Sequence, residues 1–121
     1  MSLHFELATA VDAAFADHLD GPVEQKQDAL IIRLKNGVAL TVRYAAEDAY
    51  SLRWTYGTSE AAIDTAPLHS GLATFPNHFH DAAGRVAADP LTRPDATPAD
   101  NLQRLIGALL DDPTLGAADI G

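Results

Sequence analysis

The feature that most constrains this chain is a two-residue alternation that runs, with brief interruptions, from residue 30 to residue 56. Leu30, Ile32 and Leu34 alternate with Ile31, Arg33 and Lys35; Val38, Leu40, Val42 and Tyr44 alternate with Ala39, Thr41 and Arg43; Tyr50, Leu52, Trp54 and Tyr56 alternate with Ser51, Arg53 and Thr55. Successive side chains of a strand point to opposite faces, so this pattern predicts three strands with one apolar and one polar side. Asn36-Gly37 separates the first two. A two-residue turn there would pair Leu34 with Ala39 and mix the faces. A three-residue loop, Lys35-Asn36-Gly37 with Gly37 left-handed, pairs Leu34 with Val38, Ile32 with Leu40 and Leu30 with Val42, which makes one side wholly aliphatic.

Helices flank this sheet. Leu7, Ala8, Val11, Ala14, Phe15, His18 and Leu19 recur at spacings of three and four, which predicts an amphipathic helix over residues 3–19, stopped by Gly21-Pro22. A linker leads into the strands. After Gly57-Thr58-Ser59, the residues Ala61, Ile63 and Thr65 read as a shorter fourth strand. Residues 66–96 hold four prolines and read as loop with one further short hairpin. In it Asn77 and Phe79 face one way and His78 and His80 the other, before a turn at Asp81-Ala82-Ala83-Gly84 leads into Arg85-Val86-Ala87. Thr97 as N-cap, Pro98 at the first helical position and Asp100 in the first turn open a second helix. Its apolar stripe is Leu102, Leu105, Ile106, Leu109 and Leu110, and Pro113 ends it. The expectation is one α+β domain over residues 1–121, with 114–121 a loose tail. About five or six antiparallel strands carry an N-terminal and a C-terminal helix on their apolar face.

Composition narrows the chemistry. Cysteine is absent, which removes disulfides, thiolate nucleophiles and cysteine-rich metal sites, and leaves His, Asp and Glu as ligands. No apolar run approaches the ~18 residues needed to cross a bilayer, so a cytoplasmic protein is expected. With 17 acidic and 8 basic residues the net charge is −9, a field that repels duplex nucleic acid and demands a local basic patch for any such contact.

Two constellations could carry function. His69, His78 and His80 fall within the loop-rich stretch, and His78 and His80 share a strand face. Such a set can transfer protons near neutral pH, hold a divalent ion such as Zn²⁺ with Asp64 or Asp81 adding an oxygen, or simply anchor loop carbonyls. Arg33, Arg43 and Arg53 stand on successive strands and offer guanidinium forks for phosphate or carboxylate; pairing with Glu47, Asp48, Glu60 and Asp64 is the competing use. Trp54, Tyr50 and Tyr56 read as core or interface residues rather than base-stacking platforms. Glycine-rich phosphate loops, HExxH and the nucleophile elbow are absent from the sequence.

Ala66-Pro67-Leu68-His69 followed by Thr74-Phe75-Pro76-Asn77-His78-Phe79-His80 resembles the TumE family, small prokaryotic proteins associated with toxin–antitoxin loci. The family pattern is approximately Asp-Asn-Ala-Pro-His-His, a spacer, then Thr-Phe-Pro-His-His-x-His. Tyr50-Ser51-Leu52-Arg53-Trp54 is similar to its aromatic strand, Asp64-Thr65 falls where its Asp-Asn stands, and residues 102–110 resemble its closing Leu-rich helix. The likeness spans roughly residues 28–111. It departs at Leu68 and Asn77, where the family has His, and at Ala62, where an Arg is common. The resemblance implies an antitoxin partner with a helix-turn-helix domain and an RNA-directed role, and it supplies no reaction. His78 or His80 is then the acid or base, with His69 beside them, Asp64 supporting and Arg53 clamping phosphate. The reading from another class is a non-catalytic, dimeric interaction domain that works by binding a protein partner.

Overall fold

The computed structural model describes residues 3–67, 71–72, 74–93 and 95–115. Helix α1 spans Leu3–Phe15 and tightens into a 3-10 turn at Ala16–His18. The strands are β1 (Glu24–Gln25), β2 (Leu30–Arg33), β3 (Ala39–Ala46), β4 (Ala49–Tyr56), β5 (Ser59–Asp64), β6 (His78–His80) and β7 (Val86–Ala88), and α2 runs over Pro98–Asp111. All seven strands form one antiparallel sheet in chain order. The strand beyond the expected five or six is β1, which lies in the stretch read as linker; two residues are too few to show an alternation.

The hairpin register follows the aliphatic pairing. Leu30 stands opposite Val42 and Ile32 opposite Leu40. Leu34 N–H donates to Val38 O at 2.9 Å, and Gly37 takes φ +100°, the left-handed conformation that the three-residue loop requires. The side chain of Asn36 closes this loop by accepting from Val38 N–H and reaches across the molecule to donate to Leu109 O of α2 at 3.0 Å. The β4–β5 turn is tighter: Tyr56 pairs with Ser59 across Gly57-Thr58, with Gly57 at φ +59°.

One face of the sheet is apolar throughout. Val42, Leu52, Ile63 and Phe79 lie in one cross-strand row and Leu40, Trp54 and Ala61 in the next. Leu7 and Val11 of α1 and Leu102, Leu105, Ile106 and Leu109 of α2 seal that face in one continuous buried cluster. Burial of each such side chain contributes about 2 kcal/mol. Helix α2 opens as expected, with Thr97 Oγ1 accepting from Asp100 N–H at 3.1 Å. Its far end is tied down by the Trp54 indole, whose N–H donates to Pro113 O at 3.1 Å. The stripe of α1 is narrower than its sequence suggests: Ala14 and His18 are exposed, and His18 lies in the 3-10 turn, where the helical phase is lost. No helix among the described residues is long and apolar enough to cross a membrane.

Candidate functional site

The opposite face of the sheet carries the polar residues. Arg43, Ser51, Asp64, His78 and Ala88 form one cross-strand row; Thr41, Arg53, Ala62, His80 and Val86 form the next. The alternation of β6 sends Phe79 into the core beside Trp54, with ring centroids 6.1 Å apart, and thereby sends His78 and His80 to the polar side. Asp64, at the end of β5, is directly opposite His78.

Here three side chains meet. His78 Nε2 lies 2.9 Å from Asp64 Oδ1 and His80 Nε2 lies 3.6 Å from Asp64 Oδ2. The two imidazoles are edge to face, 4.7 Å between centroids. His78 is 1% exposed and His80 is 40% exposed, so the cluster is closed on one side and open on the other. Asp64 is oriented by Ala66 N–H, which donates to Oδ1 at 3.0 Å. His78 is oriented by Pro76, whose carbonyl lies 3.2 Å from Nδ1. A carbonyl only accepts, so this contact is a hydrogen bond when Nδ1 carries the hydrogen; Nε2 is the nitrogen that faces Asp64.

The open side is a cleft of about 430 Å³, bordered by Arg53, Glu60, Ala62, His80, Asp81 and Gly84. Ala62 lies between Arg53 and His80 in their row and borders the same cleft. The Asp81 carboxylate builds the cleft's end wall. It accepts from Ala83 N–H at 2.9 Å, Arg85 N–H at 2.8 Å and Arg85 Nε at 3.1 Å. The Arg85 backbone N–H, followed by that of Ala83 and the Arg85 guanidinium, holds this carboxyl below its ordinary value against the opposing effect of desolvation.

Of the residues singled out from sequence, the structure gathers Asp64, His78 and His80, and places Arg53 on their cleft. His69 lies outside the described residues. Arg33, four strands from β6, pairs with Glu24. Arg43 is exposed on β3, opposite Ser51. Arg53 pairs with Glu60 at 2.7 Å, both side chains more than half exposed. Tyr50 and Trp54 are buried, and Tyr56 is exposed.

Sequence reasoning missed a second polar cluster behind β6. The Asp89 carboxylate accepts from Leu91 N–H and Thr92 N–H at 2.9 Å each, from Asn77 Nδ2 at 3.0 Å and from Thr92 Oγ1. Asn77 Nδ2 also donates to the Tyr50 hydroxyl at 2.8 Å, and that hydroxyl is 2.8 Å from Thr92 Oγ1. Burial pushes the Tyr50 phenol above its ordinary pKa, opposed by its hydrogen bonds to Thr92 and Asn77. Asn77, where the resemblance places a His, is thus fixed as part of this network, and only an Asx-type turn at Asp89 could have hinted at it.

Comparison with known proteins gives one family. Neither the curated proteins nor the solved structures provide a match to the chain. The family model described as Toxin TumE matches residues 8–112, from α1 through the end of α2 and including every residue of the cluster and its cleft. A toxin family carries with it an antitoxin partner. On this match, which extends the likeness seen in the strands back into the first helix, the chain belongs to the TumE toxin family.

Proposed function

We propose that the chain is a toxin that acts on a phosphate-bearing substrate, RNA or a nucleotide, bound between Arg53 and His80. The observation that carries this reading is their common row: two strand spacings, roughly 10 Å, separate them, with only the Ala62 methyl between. An exposed ion pair such as Arg53–Glu60 is worth less than about 1 kcal/mol, so an incoming phosphate can displace Glu60 and take the guanidinium fork. His80 is at the cleft with an accessible ring, while Asp64 and His78 stand behind it. That supports His80 as the group that exchanges a proton with the substrate and Asp64 as the residue that orients it. A net charge of −9 opposes long polyanions, which favours a nucleotide or a short single-stranded segment over duplex RNA. The antitoxin is expected to be the helix-turn-helix partner implied by the resemblance.

The competing reading, inhibition through protein binding alone, is favoured by Leu68 and Asn77, where the family has His. Induced expression in bacteria decides between them. Wild type is expected to arrest growth, and His80→Ala and Arg53→Ala, both at exposed positions, are expected to relieve the arrest at equal protein level. Arrest undiminished in both variants would leave binding alone, and a harmless wild type would remove the toxin reading.

A further inference from the structure

We infer that Asp64, His78 and His80 form a binding site for a divalent transition ion of the Zn²⁺ class, with its remaining coordination positions turned toward the Arg53 cleft. It rests on the cleft reading given above for the use made of the ion and differs from it in one role: a His80 Nε2 that ligates an ion holds that ion in place of an exchangeable proton, so His80 becomes a positioning residue for the ion.

The argument starts from the donor set. Two imidazole nitrogens and one carboxylate oxygen are ligands of intermediate softness that suit Zn²⁺, Fe²⁺ or Co²⁺, whereas Mg²⁺ prefers an all-oxygen shell. One potential ligand atom from each residue lies within 4.8 Å of the others. Two ligands bound at ~2.1 Å to a tetrahedral ion are about 3.4 Å apart. The His78–Asp64 and His80–Asp64 separations, 2.9 Å to Oδ1 and 3.6 Å to Oδ2, lie on either side of that value, one on each oxygen of the carboxylate. The ring of His78 is anchored at its far side as well: Nδ1 lies against the Pro76 carbonyl while Nε2 faces Asp64, where an ion bound between them would take the place of a proton. Metal-bound histidines characteristically anchor the far ring nitrogen to a carbonyl or carboxylate in this way, because it fixes the ring and raises the basicity of the ligating nitrogen. The carboxylate has its own anchor in Ala66 N–H.

Access is one-sided. His78 is sealed at 1% exposure while His80 and Asp64 reach the surface, so an ion enters and exchanges from the cleft. Three protein ligands leave room for water or a substrate phosphoryl oxygen, and His80 is the ligand that joins the site to the cleft bordered by Arg53. All three ligands are on β5 and β6, Asp64 opposite His78 and His80 in the neighbouring row, which gives the site a rigid backbone rather than a loop.

The test uses tag-free full-length protein stripped with chelator and titrated with Co²⁺ and Zn²⁺, followed by calorimetry and the visible absorption of Co²⁺. The expected result is one equivalent per chain with a spectrum of low coordination number, not displaced by excess Mg²⁺. His80→Ala and Asp64→Asn, both outside the core, should each weaken binding by at least about tenfold with unchanged circular dichroism, and His18→Ala should not weaken it. Binding well below one equivalent, or equal binding by both variants, overturns the site. Growth arrest by a protein that binds no ion would remove the metal and leave the toxin; ion binding by a harmless protein would do the reverse.

Discussion

Two polar clusters adjoin β6, one buried and one open on a side, and they use their carboxylates in opposite ways. Asp89 is surrounded by donors: two backbone N–H groups, the Asn77 amide and the Thr92 hydroxyl all point at it. Asp64 receives one backbone N–H and otherwise faces two imidazole nitrogens beside an open cleft. The first arrangement consumes the acceptor capacity of its acid and fixes a proline-rich loop. The second keeps acceptor capacity available for a proton, an ion or a substrate. Burial and polarity alone do not separate scaffold from site; what separates them is whether the acid is saturated by groups of the fold itself.

That contrast can be broken by mutation. Asp89→Ala leaves four donors facing an apolar gap and is expected to cost on the order of 3 kcal/mol in urea unfolding, with the loop before β6 loosened as well. A loss near zero would mean that the network is not what holds this loop. Asp81→Ala, in the turn between β6 and β7, is expected to cost less than Asp89→Ala, since its backbone partners can reach water. Because the fold lowers the pKa of Asp81, its contribution is complete above the ordinary carboxyl pKa of 3.8 and disappears as pH falls through its depressed value in the native state. An acid titration of wild type against Asp81→Ala should therefore converge at the acidic end, and parallel curves would contradict the assignment. Asp64→Asn should change stability least, by less than about 1 kcal/mol, because Asn retains an acceptor for Ala66 N–H. Cooperative unfolding shifted as far as in Asp89→Ala would place Asp64 in the scaffold.

How much of this was written in the sequence depends on distance along the chain. The β2–β3 register was legible because Leu34, Gly37 and Val38 are neighbours and a slip by one residue would put every aliphatic side chain on the wrong face. The shared face of His78 and His80 was legible for the same reason. Asp64 could be suspected as their neighbour, and the pairing of β5 with β6 makes it one. The Asn77–Asp89–Thr92–Tyr50 network was not legible, since the links that join its parts span 12 to 42 residues and follow no period. Nor could the fate of the three arginines be read: alternation places them on one face, but only the strand order shows that Arg53 alone borders the His80 cleft while Arg33 lies four strands from β6.

The two ties from the sheet to α2, Asn36 to Leu109 and Trp54 to Pro113, have a bearing on biosynthesis. Strands β1–β7 all precede α2 along the chain, so a polypeptide made only as far as β7 has every strand of the sheet and lacks the helix that covers much of its apolar side. A product truncated before α2 is expected to expose that greasy surface to water and to be degraded rather than accumulate.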